Sequence, residues 1–378
     1  MSETLGIGII GCGNISTAYL RLAPLFKGIE VRACADKEQA AAEARAAEFG
    51  LRAEAVETML ASADIAIIVN LTIPAAHYDV SRQALEAGKH VYSEKPFVLS
   101  VEEGLRLKAI ADARGLMIGS APDTFFGGAH QTARKLIDDG ALGTITSGTA
   151  HVMSHGMESW HPNPDFFFLP GAGPVLDIGP YYIANLINLI GPVKRVAALA
   201  NAASPTRTIG GDGPRRGETI PVATPTTVHA LLEFASGAVV TLGASWDVWA
   251  NRHCPMELYG TEGTLFVPDP NWFGGTVELA GPDGNISAID TADHPFSVAN
   301  DGRPGASVAN YRAAGLADMA QAIIEGHEAR CGVDRALHGI EVMTAILESG
   351  ETGAFVDLQT TCTRPALLDA EAARALLV

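Results

Sequence analysis

Two short stretches of the sequence hold residue types suited to hydride and proton transfer. The first is a glycine-rich turn at residues 11–16 (GCGNIS), followed 23 residues after Gly13 by Asp36. Glycines in such a turn let the backbone approach a pyrophosphate at a helix amino terminus, and an acidic residue about 20 positions later can bind a ribose. The pattern predicts dinucleotide binding by Gly11, Gly13, Asn14, Ile15 and Asp36.

The charge of Asp36 also bears on which dinucleotide binds. A carboxylate at this position repels the 2′-phosphate of NADP, so the sequence favours NAD. Lys37 follows directly and can soften this preference, which leaves NADP open. Ser16 replaces the usual third glycine or alanine of the pattern, and a residue this small is compatible with the turn.

The second stretch is Glu94-Lys95-Pro96, at the end of a predicted strand. A lysine at the carboxyl end of a parallel strand faces the crevice in which ligands bind in such sheets. Adjacent opposite charges are also common as solvated surface pairs. The position of Lys95, rather than its type, therefore makes it a candidate for chemistry.

Together these motifs resemble those of the Gfo/Idh/MocA family of oxidoreductases. The resemblance rests on residues 11–16, on 70–74 (NLTIP) with His77, on 94–96 (EKP) and on 173–181 (GPVLDIGPY), and it spans nearly the whole chain. It places Lys95 beside the nicotinamide and the reacting hydroxyl. It also implies cofactor contacts from Asn70, Thr72, His77, Glu94 and Lys95.

The family element at 173–181 usually reads Asp-x-Gly-x-His, with Asp and His reaching the substrate. This chain has Asp177, but Tyr181 stands at the histidine position. The resemblance therefore points to the glucose-fructose oxidoreductase and dihydrodiol dehydrogenase branches, in which a tyrosine also occurs. It implies catalytic roles for Lys95, Asp177 and Tyr181, and substrate contacts from Asp177 and Tyr181.

Oxidation of a secondary alcohol needs a base for the hydroxyl proton. Tyrosine and lysine both ionise near pH 10 in model compounds, so either must be activated by its surroundings. A positive oxidised nicotinamide would lower the pKa of Lys95, and a cationic Lys95 would favour the ionised phenol of Tyr181. We assign the acid/base role to Tyr181, with Lys95 polarising the substrate oxygen and Asp177 holding a neighbouring hydroxyl. The reverse assignment of Lys95 and Tyr181 stays open.

A histidine-rich segment precedes Asp177, in the region of the family's substrate loop. The face of a tryptophan suits the C–H face of a sugar, so His155, Trp160 and His161 are candidate substrate contacts; ordinary packing is the alternative. His151 and His155 would share a face of a strand, but no acidic or cysteine ligand has matching spacing, and we expect no metal. Residues 310–312 open a helix that can reach the site.

The predicted elements divide the chain into two parts. Strands alternate with helices up to about residue 121, which indicates a parallel sheet with helices on both faces. Beyond it, strands follow one another with few helices, which favours an antiparallel sheet. The expected fold is an α/β Rossmann domain (1–122) followed by an α+β domain with an open, mostly antiparallel sheet (123–378). Segments 204–226 and 281–305 are predicted to be long loops.

Composition excludes several classes of function. The 378 residues carry 26 Lys and Arg against 43 Asp and Glu, a formal charge of −17, which disfavours nucleic acid and anionic membranes as partners. No apolar run could span a bilayer. Five scattered cysteines and the lack of a leader-like start favour the cytoplasm. An uncovered sheet face would need a partner, and we expect a homodimer or homotetramer.

These observations predict an NAD(P)-dependent oxidoreductase that moves a hydride between nicotinamide and a secondary alcohol of a sugar or cyclic polyol. One alternative is oxidation of a trans-dihydrodiol, or reduction of a carbonyl or imine, which would need a more apolar pocket. The other is a non-enzymatic nucleotide or sugar sensor of the same fold. Retention of Lys95, Asp177 and Tyr181 favours the enzyme over the sensor.

Overall fold

The amino-terminal part of the chain forms a six-stranded parallel sheet. The computed structural model describes residues 4–303 and 306–378. The strands of this sheet are β1 (Leu5–Ile10), β2 (Ile29–Ala35), β3 (Arg52–Ala53), β4 (Ile67–Asn70), β5 (His90–Ser93) and β6 (Ile118–Ser120). Their order is β3-β2-β1-β4-β5-β6, and all neighbours are parallel. The order reverses at β1, which opens a ligand crevice at the carboxyl ends of β1 and β4.

Five helices connect these strands, and their ends follow local sequence signals. They are α1 (Asn14–Leu22), α2 (Gln39–Phe49), α3 (Val56–Ala61), α4 (Pro74–Glu86) and α5 (Val101–Arg114). The Ser100 hydroxyl accepts the Glu103 amide at the start of α5, and a left-handed glycine, Gly115, ends it. The predicted Rossmann architecture is confirmed in this part of the chain.

The second part is built on a nine-stranded mixed sheet. Its strands are β7 (Ile145–Met153), β8 (Val193–Asn201), β11 (Thr227–Phe234), β12 (Val239–Ser245), β13 (Met256–Gly260), β14 (Thr264–Val267), β15 (Val277–Ala280), β16 (Ile286–Ile289) and β19 (Val356–Asp357). Their order is β16-β15-β14-β13-β7-β12-β11-β8-β19, and only β7 and β12 pair in parallel. The predicted mostly antiparallel sheet is therefore confirmed.

Helices cover one face of this sheet. They include α6 (Gly128–Asp138), α7 (Pro174–Asp177), α8 (Gly179–Ile190) and α10 (Val333–Thr352), of which α10 packs along β8. On the opposite face, alternate strand residues turn apolar side chains outward: Leu199, Leu231 and Val239 are 77%, 47% and 41% exposed. This is the open face that the sequence pattern predicts.

The two predicted long loops contain short strands. Segment 204–226 holds an antiparallel pair, β9 (Thr206–Thr208) and β10 (Thr219–Pro221). Segment 281–305 includes β16, which forms the edge of the large sheet, and β17 (Asp301–Arg303), which pairs with β18 (Ala306–Val308). The loop predictions were wrong there because strands of three or four residues are too short for an alternating pattern to stand out.

The carboxyl-terminal segment returns to the first sheet. Helix α9 (Ala314–Glu325) packs against β6 and β2, and α11 (Ala370–Leu376) lies against α9. The Val378 amide donates to the Leu25 carbonyl at 3.0 Å. The end of the chain therefore packs against the first sheet, although it is far from that sheet in sequence. Within the described part of the chain, no helix is long and apolar enough to cross a membrane.

Candidate active site

The glycine-rich turn connects β1 to α1, and the structure constrains the residue type at its two glycine positions differently. Gly11 has φ +105°, and a Cβ there would lie 2.6 Å from the Leu71 backbone. Gly13 has an ordinary φ of −72°, and a Cβ there would meet nothing within 4 Å. Neither backbone nor packing requires glycine at position 13. The open space at the start of α1 fits a phosphate group that approaches the backbone closely.

Asp36 lies beside this turn, at the end of β2. Its carboxylate accepts the Cys12 amide at 2.8 Å and the Glu38 amide at 3.0 Å, which fixes its orientation. The guanidinium of Arg45 reaches the carbonyls of Cys12 and Gly13 at 3.4 and 3.5 Å, and its buried Nε has no hydrogen-bond partner among the described atoms. A cation therefore accompanies the carboxylate at this edge of the crevice.

Asn70, Thr72 and His77 connect the loops around the crevice. The Asn70 side chain donates to the His77 carbonyl and accepts the Thr72 hydroxyl at 2.7 Å. The His77 ring lies between the carbonyls of Pro96 (2.7 Å) and Thr72 (3.0 Å), and burial lowers its pKa. Both Asn70 and His77 are fully buried. The geometry gives them a supporting place behind the crevice rather than a surface that faces a ligand.

Glu94 links the end of β5 to α1. Its carboxylate accepts the Tyr19 hydroxyl at 2.9 Å and the backbone amide of Lys95 at 2.9 Å. Tyr19 is buried, and burial together with the charges of Glu94 and Asp123 raises its pKa well above the usual value. Tyr19 is thus a neutral donor that holds Glu94, and Glu94 in turn orients the turn that carries Lys95.

Lys95, Asp177 and Tyr181 meet at the carboxyl end of the parallel sheet. The Lys95 ammonium donates to the Asp177 carbonyl at 2.7 Å and to its carboxylate at 2.9 Å. The same nitrogen lies 5.4 Å from the centre of the Tyr181 ring. The three predicted catalytic residues, which come from two widely separated segments, are therefore in one cluster.

The protonation of Lys95 is set by its neighbours. Burial lowers the pKa of Lys95, but the Tyr181 phenol and the Asp177 carboxylate raise it by more, so the pKa lies above the ordinary lysine value. This is opposite in direction to the lowering expected beside a positive nicotinamide. The groups of the protein alone keep Lys95 a cation at neutral pH.

Arg312 also reaches this cluster, as the segment at 310–312 allowed. Burial lowers the pKa of Arg312, but Tyr181, Asp123 and Glu94 raise it by more, so the guanidinium lies within electrostatic reach of these groups. It also donates to the Asn310 side chain at 3.2 Å. The site therefore contains two cations, one from the first part of the chain and one from the segment before α9.

Asp123 lies beneath the cluster and is 2% exposed. Its carboxylate accepts the backbone amides of Ala313 and Gly315 at 3.0 and 3.1 Å. Burial raises its pKa from 3.8 to about 6, despite the opposing effects of the Gly315 amide and Arg312. A buried carboxylate thus joins the end of β6 to the segment that carries Arg312.

This shift predicts a pH-dependent contribution to stability. Because folding raises the pKa of Asp123, the folded state binds the proton more tightly, and the free energy of unfolding falls as pH rises from about 4 to about 6. Asp123→Asn lacks this titration. Its stability relative to wild type should rise across that window, by up to about 3 kcal/mol, and stay level above it. Urea denaturation of both proteins from pH 4 to 8 measures this, and a pH-independent difference would contradict it.

The candidate substrate residues His155, Trp160 and His161 lie in an aromatic region after β7. His155 stacks on Trp249 at 3.8 Å, while the His161 ring packs edge-on against Trp160 and Phe166 at 5.4 and 5.5 Å. In the described residues, no hydrogen bond or ring contact joins these three to Lys95 or Tyr181. His151 stacks on His253 instead of pairing with His155. Among these described residues, no three or more His, Cys, Asp or Glu side chains form a group able to hold a metal ion.

Two residues of the cluster were not identified from the sequence. Tyr19 is indistinguishable from a core position of α1 by pattern alone. Asp123 follows β6, and its place just past the carboxyl end of a parallel strand was an available signal. No sequence signal indicates that Asp123 lies near Arg312, because their proximity depends on how the end of the chain packs back onto the first sheet.

Comparison with known proteins matches both parts of the chain to one family. Residues 5–121 match the model described as "Oxidoreductase family, NAD-binding Rossmann fold", and residues 130–266 match the "GFO/IDH/MocA C-terminal domain". This confirms the predicted family, the Rossmann architecture and the nicotinamide class of cofactor.

Individual relatives are more distant. An uncharacterized oxidoreductase of Schizosaccharomyces pombe is 33% identical over 38% of each chain. The chain thus spans about two fifths of the length of the first curated relatives it matches. D-xylose 1-dehydrogenase (NADP(+)) 2 of Haloferax volcanii is 26% identical over 93% of this chain and 99% of its own.

Solved structures agree on the fold. Levoglucosan dehydrogenase in complex with NADH superposes with a TM-score of 0.81, at 22% identity over 95% of this chain and 100% of that one. At this identity the likeness concerns the fold alone. With its Rossmann sheet, its mixed second sheet and a family match to both, the chain belongs to the Gfo/Idh/MocA family of oxidoreductases.

Proposed function

We propose that this protein is an NAD(P)-dependent oxidoreductase that transfers a hydride between nicotinamide and a secondary alcohol of a sugar or cyclic polyol. The observation that carries the proposal is the cluster of Lys95, Asp177 and Tyr181 at the carboxyl end of the Rossmann sheet. The names of relatives, a D-xylose dehydrogenase and a levoglucosan dehydrogenase, support the substrate class.

The glycine-rich turn and Asp36 would hold the dinucleotide. Gly13 would let the pyrophosphate approach α1, with Asn14 and Ile15 beside it, and the Asp36 carboxylate would accept the ribose hydroxyls. The charge of Asp36 favours NAD, while Arg45 and Lys37 moderate its repulsion of a 2′-phosphate. Asn70, Thr72 and His77 would support the crevice wall, and Glu94 would hold Lys95 toward the nicotinamide.

A bound nicotinamide would accept the hydride from the carbinol carbon in oxidation and return it in reduction. Lys95, a cation in this structure, would donate a hydrogen bond to the reacting oxygen. The phenolate of Tyr181 would take the hydroxyl proton in oxidation, and the neutral phenol would give it back in reduction. Asp177 would keep Lys95 in place and accept a neighbouring substrate hydroxyl.

The raised pKa of Lys95 supports this division of roles over the reverse one. A lysine whose neighbours hold it protonated at neutral pH is a poor base but a suitable electrophilic partner for a developing alkoxide. Tyr181 is then the group left to exchange the proton.

The division into domains, the oligomeric state and the sugar contacts are also part of the proposal. We assign residues 1–122 to the cofactor-binding domain and 123–378 to the substrate and oligomerisation domain. The open face of the second sheet, with Leu199 and Leu231 exposed, supports a homodimer or homotetramer. His155, Trp160 and His161 would contact the sugar from the loop after β7.

The exposed aromatic side chains favour a second candidate substrate. Trp160 and Phe166 are 59% and 55% exposed on the same loop, a surface that would also bind the apolar ring of a dihydrodiol. The choice between a polyol and a cyclic diol therefore depends on which ring those side chains stack against.

The proposal predicts turnover on one class of cyclic alcohol. Nicotinamide reduction is measured with NAD and NADP separately, against pyranoses, inositols and cyclic diols, for wild type and Tyr181→Phe. We expect one class to be oxidised, with NAD preferred, and the rate to fall in the variant because the proton acceptor is gone. Tight nucleotide binding without turnover on any substrate would favour the sensor.

A further inference from the structure

A tryptophan that the proposed reaction does not use is exposed beside the candidate substrate loop. Trp249 follows β12 and is 84% exposed. One face of its indole ring is stacked on the His155 imidazole, with the ring centres 3.8 Å apart and the ring planes at 17°. The other face of the indole is open. We call these two stacked rings, His155 and Trp249, the aromatic platform.

The segment that carries Trp249 is bound to the neighbouring strand on both sides of the ring. The Val248 amide donates to the Ser154 carbonyl at 3.1 Å, and the Asn251 side-chain amide donates to the Met153 carbonyl at 3.0 Å. An aromatic ring that is already ordered loses little conformational entropy when a ligand stacks on it. The aromatic platform is therefore an exposed surface of fixed orientation.

A mostly buried charge cluster fixes the base of the platform. Arg207 of β9 forms ion pairs with Glu158, at 3.1 Å, and with Asp247. The Asp247 carboxylate also accepts the hydroxyls of Thr226 and Thr227 at 2.7 and 2.6 Å. Because Glu158 follows β7 and Asp247 follows β12, a single guanidinium joins the two loops that supply the platform.

The platform lies at the edge of the second sheet where α7 begins. Strands β7 and β12 are parallel neighbours, so the loops after them leave the sheet at the same edge. Strand β11 starts at this edge, because Thr227 pairs with Ser245. Just before β11, the Thr224 hydroxyl donates at 3.3 Å to the carbonyl of Ala172, which directly precedes the turn into α7. The helix that ends with Asp177 and the aromatic platform therefore share one edge of the sheet.

The platform is nevertheless separate from the catalytic cluster. Among the residues that the structure describes, no hydrogen bond, ion pair or ring contact joins Trp249 to Lys95, Asp177 or Tyr181. A ring that lies on Trp249 is then a different ring from the one whose hydroxyl meets Lys95 and Tyr181.

The chemistry of the exposed face fits a pyranose ring. The C–H groups of a pyranose form an apolar face that packs on an aromatic π-system, while its hydroxyls point outward. In the described stretch 240–285, Trp249 is the one large apolar side chain that is exposed, and the exposed polar residues Asn251 and Arg252 follow it. A protein interface needs several contiguous apolar side chains, whereas a sugar needs one flat ring with polar groups near its edge.

We propose that Trp249 is a specificity-determining residue: it binds a second pyranose ring of the substrate by stacking, so that the protein prefers a disaccharide or other glycoside to the free monosaccharide. The inference rests on the proposed function, in which the first ring is oxidised at Lys95 and Tyr181. His155 supports the indole from behind, and Arg207 holds together the two loops that carry the platform.

The first test compares one-ring and two-ring substrates in wild type, Trp249→Ala and Trp249→Phe. Each monosaccharide is paired with its disaccharide: glucose with maltose and with cellobiose, and xylose with xylobiose. In wild type, kcat/KM should be higher for one disaccharide than for its monosaccharide. In Trp249→Ala the ratio of the two values should fall about tenfold, through KM for the disaccharide, because a stacking contact acts on binding. Trp249→Phe keeps an aromatic face and should recover part of the ratio.

The matched control is Phe355→Ala. Phe355 is also an exposed aromatic residue, at 68%, but it lies beside the edge strand β19, with the Arg195 guanidinium 5.9 Å from its ring centre. Its removal should leave the disaccharide-to-monosaccharide ratio unchanged. A Trp249→Ala enzyme with the wild-type ratio would overturn the proposal. So would a variant whose mass in light scattering drops to that of a smaller oligomer, because the platform would then be covered by a second copy of the chain.

The second test needs no turnover. Maltose, cellobiose and xylobiose are titrated calorimetrically into wild type and Trp249→Ala, each with NADH present. One of the three should bind wild type about tenfold more tightly than the variant. If this holds while no sugar is oxidised, the second-ring site stands and the assigned reaction is wrong. If monosaccharides are oxidised while no disaccharide binds, the assigned reaction stands and the role of Trp249 is wrong. If no disaccharide binds and no sugar is oxidised, both are wrong.

Discussion

Replacing Lys95 by methionine should lower kcat/KM for the best alcohol substrate by about 10³-fold while nucleotide affinity changes by less than about tenfold. Methionine keeps an unbranched, flexible side chain, one heavy atom shorter, but removes the ammonium that contacts Asp177 and faces Tyr181. The substrate oxygen then loses its electrophilic partner, and the Asp177 carboxylate loses the cation that compensates it. Steady-state kinetics with NADH-binding titrations separate the two effects.

Lys108→Met is the control for this substitution. Lys108 lies on α5, is 32% exposed, and pairs with Asp112 and Asp334, away from the crevice. Its removal should leave kcat/KM unchanged and alter the free energy of unfolding by less than about 1 kcal/mol. The Lys95–Asp177 pair is itself partly solvated, so a folding defect is not expected to account for lost activity. A Lys95→Met enzyme with more than about a tenth of wild-type kcat/KM would contradict the assigned role.

How far the site was predictable from sequence depends on how local each relationship is. The dinucleotide pattern links Gly11, Gly13 and Asp36 through consecutive elements of one β-α-β unit, so spacing alone is enough to predict it. Glu94 and Lys95 end a strand next to that unit, and the direction of a parallel sheet puts them at the same edge. Their placement follows from the fold class.

Other parts of the site depend on packing that no local pattern encodes. The segment that carries Arg312 is held near the end of β6 because the Asp123 carboxylate binds the Ala313 amide, a contact between residues about 190 positions apart. The parallel pairing of β7 with β12 likewise joins strands that are distant in sequence. The sequence also did not indicate that the pKa of Lys95 is raised, because this shift depends on the packing of Tyr181 and Asp177 around the ammonium.

The sequence also did not indicate that Asn70 and His77 lie behind the crevice wall. A motif indicates that these residues belong to the cofactor site, but the sequence does not say which of them face the ligand. In the structure both side chains are buried and bind loop carbonyls or hydroxyls, so they shape the crevice from behind. Their substitution should therefore affect the conformation of the crevice loops before it affects any single ligand contact.

Gly13→Val should weaken NADH binding by about 100-fold or more and leave the free energy of unfolding within about 1 kcal/mol of wild type. The protein itself does not require glycine at this position. A Cβ at residue 13 would meet no protein atom within 4 Å, and the φ of −72° suits any residue. Folding therefore tolerates the side chain, whereas a pyrophosphate at the start of α1 does not. Calorimetric NADH titration and urea denaturation measure the two quantities.

Gly50→Val is the matched control in the same domain, and it should lower stability without affecting NADH binding. Gly50 ends α2 at φ +71° and also has open space around it, so valine there strains the backbone without approaching the crevice. It should reduce the free energy of unfolding by about 1–3 kcal/mol with NADH affinity unchanged below the transition. If instead Gly13→Val binds NADH normally, the pyrophosphate does not lie at this turn, and the site assigned to Asp36 fails with it. If Gly13→Val loses both binding and stability, then Gly13 serves folding, and the open space at α1 is not evidence for a phosphate.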